Sequence, residues 1–325
     1  MKKSIFVMLV MLLAVNVLAA QPAMEQSPIN QVRQVQFAVM AGPTGFSSVG
    51  LTLNEGRISE EVQVDMQVFP SPNEVIARLA SGELDFAALP ANVAANLYNR
   101  GVKIKLAAVI GNGMLSVLSS DGSVASETEL LGKTIHVPGA GSTPDQMAQL
   151  LLKQAGLVAG KDVILDYSVA APAQLAQLTI ANKVDLVMLP QPFVSMILNR
   201  SEQAREVVDI QDLYRRLSGF DTYPMSVLVV SEQFAKNHPR ALAQVLSAYK
   251  ESVAWVNSDI VAAGKAIEAA GIMASAIATP AILDCNLVFI PSQQAKNEVQ
   301  AYFSFLYSFN PASIGGRVPL SDLYL

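Results

Sequence analysis

Short apolar runs and stretches of helical period alternate along the chain, with turn residues between them. Val35 to Ala41 (VQFAVMA) predicts a buried strand, broken by Gly42-Pro43-Thr44-Gly45. A helix from about Phe46 to Asn54 follows, ended by Gly56, and Val62 to Phe69 alternates as a second strand. Pro70-Ser71-Pro72-Asn73 stops it. The pattern then gives a helix over 73–81 capped by Gly82, a strand Phe86 to Leu89, and a helix over 91–99 ending at Gly101. Further on, Lys133 to Val137 (KTIHV) predicts a strand, Pro138 to Ser142 a glycine-rich turn, and Thr143 to Ala155 a helix closed by Gly156. Val163 to Val169 is the next strand. Leu242, Val245, Leu246, Tyr249, Val253 and Val256 recur at helical spacing behind Pro239, with Trp255 as a packing residue of that helix.

The chain also echoes itself. Pro72 to Arg100 and Pro172 to Arg200 share one grammar of helix, acidic turn, four-residue apolar strand, proline stop and second helix. Asp85 aligns with Asp185, Leu89 with Leu189, Pro90 with Pro190, and Asn99-Arg100 with Asn199-Arg200. Met114 to Ser120 and Met225 to Ser231 form a second echo, each behind a turn-like stretch, 111–113 and 218–224. Strands alternating with helices imply βαβ units and mainly parallel sheets. The expected architecture is α/β with two similar lobes, 35–113 plus 225–325 and 114–224, joined by two crossings that act as a hinge. Two facing lobes make a cleft, which points to binding before chemistry.

Composition narrows the setting. Lys2 and Lys3 precede an almost wholly apolar stretch from Ile5 to Leu18, and Val17-Leu18-Ala19 offers a cleavage site, so residues 1–20 read as a cleavable signal peptide and the periplasm as the destination. The stretch is too short for a membrane span. Cys285 is the sole cysteine, so no intramolecular disulfide forms and the fold stands on its core. The formal net charge of −5 and the lack of a basic run argue against nucleic acid as a partner.

The inventory for catalysis is thin. His136, inside KTIHV, and His238, before a helix proline, are the only histidines, and neither has Cys, Asp or Glu at metal-ligand spacing. No Gly-x-Ser-x-Gly elbow occurs. The loop GAGSTPDQ lacks the lysine of a nucleotide P-loop. No catalytic residue, metal or cofactor is therefore expected. The two glycine loops are better candidates, because they sit between a strand and a helix at equivalent places, where ligands gather in open α/β sheets. They supply Thr44, Gly45 and Phe46 on one side and Ser142 and Thr143 on the other. The loops after the repeat strands add Asn92 and Gln191, and the second crossing adds Asp221 and Tyr223. No Lys or Arg occupies these turns, which leaves a neutral or weakly polar ligand as probable as an anionic one on sequence grounds.

Several segments, in this order and spacing, resemble the solute-binding proteins of ABC transporters. They are ARLASGELDFAALP, LLGKTIHVPGAGSTPDQMAQLLLKQAGL, KVDLVMLPQP, HPRALAQVLSAYKESVAWVNSD and the ending NPASIGGRVPLSDLYL. The nearest group is the NMT1/THI5-like and alkanesulfonate, taurine and thiamine-precursor binding proteins. The resemblance covers nearly all of the mature chain. It implies a type II periplasmic binding fold, a small organic ligand, an ABC permease as membrane partner and a monomeric receptor that is not an enzyme. A pyrimidine synthase on the same fold works through a cysteine-rich motif that this chain lacks. The alternatives are an exported enzyme on this fold and a ligand sensor for a membrane receptor.

Overall fold

The first sheet of the computed structural model is built from Arg33–Met40 (β1), Val62–Phe69 (β2), Phe86–Pro90 (β3), Ile104–Asn112 (β4), Pro224–Ser231 (β10) and Leu287–Pro291 (β11). The second holds Leu115–Ser119 (β5), Thr134–His136 (β6), Ile164–Asp166 (β7), Leu186–Pro190 (β8) and Arg205–Asp209 (β9). Residues 32–70 and 72–325 are described, so the expected signal peptide lies outside the described residues.

The strand orders are β2-β1-β3-β10-β4-β11 and β7-β6-β8-β5-β9. Position by position the second order is the first without its last edge strand. In each sheet the first three strands are parallel, and a strand running the other way (β10 or β5) is inserted beside the third. The registers match as well. Ser226 of β10 lies opposite Pro90, and Leu115 of β5 lies opposite Pro190. The Ser231 amide donates to the Asp85 carbonyl and the Ser120 amide to the Asp185 carbonyl, both at 2.8 Å. The two sequence echoes therefore lock together in the same way in both sheets.

Helices of about ten residues join the parallel strands: Pro72–Ser81 (α2), Ala91–Asn99 (α3), Thr143–Gln154 (α4) and Pro172–Ile180 (α5). Before them comes a shorter helix, Pro43–Ser48 (α1), which starts three residues earlier than expected because Pro43 suits a first helical turn. It gives way to a 3₁₀ stretch, Val49–Gly56, broken where Asn54, Glu55 and Gly56 take positive φ. Gly56 is required there, since a Cβ would collide with the Val64 carbonyl oxygen. The later helices are Phe193–Leu198 (α6), Ile210–Ser218 (α7), Glu232–Asn237 (α8), Pro239–Ser258 (α9), Ile260–Ala269 (α10), Ser275–Ala281 (α11) and Ser292–Phe309 (α12).

Helix α9 places Leu242, Val245, Tyr249, Val253 and Val256 in the core, as its spacing predicts. Tyr249 lies against Phe37 at 5.9 Å between ring centroids, and Phe37 stacks on Phe86 at 5.6 Å. Burying each such ring stabilises the fold by about 1.5–3 kcal/mol. The buried Tyr249 hydroxyl is paired with Ser47 Oγ at 2.7 Å, so burial leaves no orphaned polar atom there. Trp255 packs half-buried against the same core. Among the described residues no helix is long and apolar enough to cross a membrane.

Candidate functional site

The parallel strands β1, β2 and β3 and their counterparts β6, β7 and β8 all end at one cavity of about 520 Å³. Met40 and Ala41, Pro70 and Pro72, and Pro90 enter it from the first sheet; Pro138 to Pro144, Tyr167 and Ala170, and Pro190 enter it from the second. This is where an open α/β sheet collects its ligands, and the size falls within the usual range for small-molecule sites. The wall is mostly apolar: it includes eight prolines, three methionines (Met40, Met114, Met225) and Phe193.

The chain passes between the sheets twice, through Gly113-Met114 and through α7 with the turn up to Pro224. These crossings are tied to each other. The Gly113 amide donates to Thr222 Oγ1 at 3.3 Å, and that hydroxyl donates to Gln211 Oε1 at 2.8 Å. Asn286 Nδ2 donates to the Gly113 carbonyl at 3.1 Å.

Three residues expected at the site line the cavity: Thr44, Ser142 and Thr143. Their hydroxyls are already engaged. Thr44 Oγ1 accepts from the Met40 amide and donates to the Met40 carbonyl, both at 3.0 Å. Ser142 Oγ donates to the carbonyls of Pro138 and Gly139 at 2.9 and 2.6 Å. Thr143 Oγ1 donates to Asn92 Oδ1 at 2.8 Å. Asn92 is fully buried at the start of α3 and its Nδ2 donates to the Gly141 carbonyl at 2.8 Å. It lies behind the wall and joins the first sheet's helix to the second sheet's glycine loop.

The other expected residues lie elsewhere. Gly45 and Phe46 are buried on the inner side of α1 itself, where a Cβ on Gly45 would meet Ile272 Cγ2 at 3.0 Å. The Gln191 carbonyl oxygen Oε1 accepts from the Ser195 amide and hydroxyl at 3.1 and 2.8 Å, acting as a local brace for α6. Asp221 is exposed. Tyr223 is buried at the crossing, stacked on Tyr302 at 5.6 Å and tilted against Tyr214 at 5.1 Å. Burial pushes its phenol well above the ordinary tyrosine value.

Sequence reasoning missed Ser226, Arg100, Tyr167 and Asn73, which all line the cavity. The Tyr167 hydroxyl donates to Asp145 Oδ1 at 2.7 Å, and burial followed by that bond and the Asp145 charge raises its pKa. Ser226 is 8% exposed, and its hydroxyl has no partner among the described residues. Arg100 was visible only as one end of the repeat. The stripe Pro90, Val93, Leu97 and Arg100 at helical spacing was the available signal, since these positions share one face of α3. The α3 wall is backed by the last residues of the chain: Asn99 Nδ2 donates to the Arg317 carbonyl at 2.7 Å, and Ser313 reaches the cavity.

Metal chemistry finds no donor set here. Among the described residues no group of three or more His, Cys, Asp or Glu is placed to hold an ion. His136 Nδ1 lies 3.7 Å from Asp166 Oδ1 across β6 and β7, an isolated pair.

Solved structures share this architecture. An ABC transporter protein from Parabacteroides distasonis is 25% identical, with a TM-score of 0.73 over 90% of this chain and 98% of that one. The ligand-binding component of an ABC-type import system from Staphylococcus aureus, solved with zinc bound, is 14% identical, with a TM-score of 0.70 over 90% and 96%. The periplasmic aliphatic sulphonate binding protein SsuA from Escherichia coli is 16% identical, with a TM-score of 0.67 over 89% and 93%. These likenesses show the fold, two sheets of mainly parallel strands flanked by helices as in two-lobe periplasmic binding proteins. Among curated proteins none matches the chain. In sequence, residues 32–274 match the NMT1-like family, and the chain belongs to that family.

Proposed function

We propose that the protein is a periplasmic solute-binding receptor that captures a small organic molecule between two lobes and delivers it to an ABC permease. One observation carries the reading: the ends of three parallel strands from each sheet converge on a single mostly apolar cavity. A solved protein of this fold named as the ligand-binding component of an ABC-type import system, and another named as a periplasmic binding protein, support it. The lobes are 35–113 with 225–325, and 114–224, and the two bonded crossings serve as the hinge. Closure takes the solute out of water and strengthens its few polar contacts. The thin inventory of nucleophiles and bases favours binding over turnover. The receptor acts as a monomer.

The test is native mass spectrometry of protein purified gently from its own periplasm. A retained small solute, released unchanged on denaturation, is the expected result. A solute recovered chemically altered after incubation with the protein would replace the receptor reading with an enzymatic one.

A further inference from the structure

We propose that the solute is an elongated apolar molecule with one anionic end held at Arg100 and one neutral hydrogen-bonding group at the other end held by Ser226. This rests on the receptor reading and names the chemistry of its ligand. The cavity runs along α3. Pro90, Val93, Asn96, Leu97 and Arg100 all line it, and the ten-residue span from Pro90 to Arg100 measures about 15 Å at the helical rise. Ser226 stands opposite Pro90 in the β3–β10 register, which puts it at the inner end. Arg100 is exposed and marks the outer end.

Between those ends the wall's side-chain hydroxyls are spent within the protein, and the polar side chains that remain are the amides of Asn73 and Asn96, the latter donating through Nδ2 to the Ala312 carbonyl at 3.3 Å. The hydroxyls of Thr44, Ser142, Thr143, Tyr167 and Ser313 are all bonded within the protein. Two amides and Ser226 cannot pair the many polar atoms of a sugar or peptide, so such a ligand is disfavoured. Methionine, proline, valine and leucine side chains suit an apolar body instead.

Among the described residues Arg100 is the only charged one that lines the cavity, and it makes no salt bridge with any of them. It caps the C-terminal end of α3. The carbonyl groups there repel an anion, so without the guanidinium this end of the cavity selects against negative charge. With it, a carboxylate gains a charge-assisted pair. Its exposure limits the gain to about two- to fivefold in affinity.

The probes are 10-hydroxydecanoate and its neutral isostere 10-hydroxydecanamide, titrated calorimetrically into the full protein, Arg100→Gln and Ser226→Ala. The expected result is tighter binding of the acid by about two- to fivefold, a preference absent in Arg100→Gln. Ser226→Ala should weaken acid and amide by equal factors, because it touches only their shared end. Melting curves confirm that both variants fold. Equal affinities in the unmodified protein, or a preference that survives Arg100→Gln, overturn the assignment of Arg100. Failure of both probes to bind a protein that retains a different solute overturns this ligand class and leaves the receptor standing. Failure of both, with no solute retained by the native protein, overturns the receptor reading too.

Discussion

Replacing Asn92 by alanine removes the most enclosed link between the two sheets. Its amide makes two 2.8 Å bonds, donating to the Gly141 carbonyl and accepting from Thr143 Oγ1, and it is fully buried. If the lobes part about the crossings, water reaches Gly141 and Thr143 in the open form, so neither group is left orphaned there. The loss is then the net value of two hydrogen bonds, about 1 kcal/mol each, rather than two full desolvation penalties. About 2 kcal/mol against the closed form is close to thirtyfold in the closure equilibrium. Apparent solute affinity should drop by up to that factor, since binding must also drive closure. Thermal unfolding from the open form should change little, because the two bonds are absent there. Calorimetric titration reads the first quantity and thermal melting the second. Small-angle scattering of the solute-free protein should show a larger radius of gyration in Asn92→Ala. The double variant with Thr143→Val should show strong non-additivity, as expected for partners in one bond. A lower melting temperature with unchanged affinity and unchanged radius would refute the reasoning and make Asn92 a plain structural brace.

Three further outcomes follow from the same geometry. Thr44→Ala should lower the melting temperature by removing two contacts to Met40, at about 1 kcal/mol each, while calorimetry finds solute affinity within twofold. Gly113→Ala should destabilise by about 1–3 kcal/mol in urea unfolding, because its Cβ would stand 2.5 Å from Tyr223 Cε1 at the tighter crossing. Burial raises the pKa of Asp85 above the ordinary 3.8, partly offset by the Gln36 amide and by the charges of Arg33 and His238. The raised value means that its favourable contribution is complete below pH 3.8 and is lost as pH rises through the folded pKa. Melting temperature followed from pH 4 to pH 7 should therefore fall relative to Asp85→Asn, whose side-chain oxygen still accepts from Gln36.

The repeat grammar was legible in the sequence because it rests on local signals: proline and glycine stops, alternation, helical period. The lone pairings were not. β4 and β9 occupy equivalent edges of the inserted strands, yet IKLAAVIGN and REVVD carry no turn signature that tells strand from connector. Helix α12 is hidden by aromatic residues around much of its circumference, which blurs the period. Thr44, Ser142 and Thr143 do line the cavity, but the engagement of a hydroxyl is a three-dimensional fact. The hydroxyls of Thr44 and Ser142 turn back to the Met40 and Pro138 carbonyls four residues earlier. Arg100 was passed over since it lies a whole helix away from any strand end, and only the shared face of α3 brings it to the cavity.

The insertion of β10 between β3 and β4 has a consequence for how the chain reaches this state. The strands of the second sheet are contiguous, 115–209, and need nothing from elsewhere to pair. Those of the first are not: β4 has no neighbour until residues 224–231 return to fill the gap beside β3, and β11 arrives later still. Contacts of long sequence separation form slowly. The second sheet should thus pair early, with the first assembling beside it, and a fragment spanning 114–224 is the one to test for independent folding. The cavity comes into being as the final event, when the two sheets and the C-terminal backing of α3 are all in place.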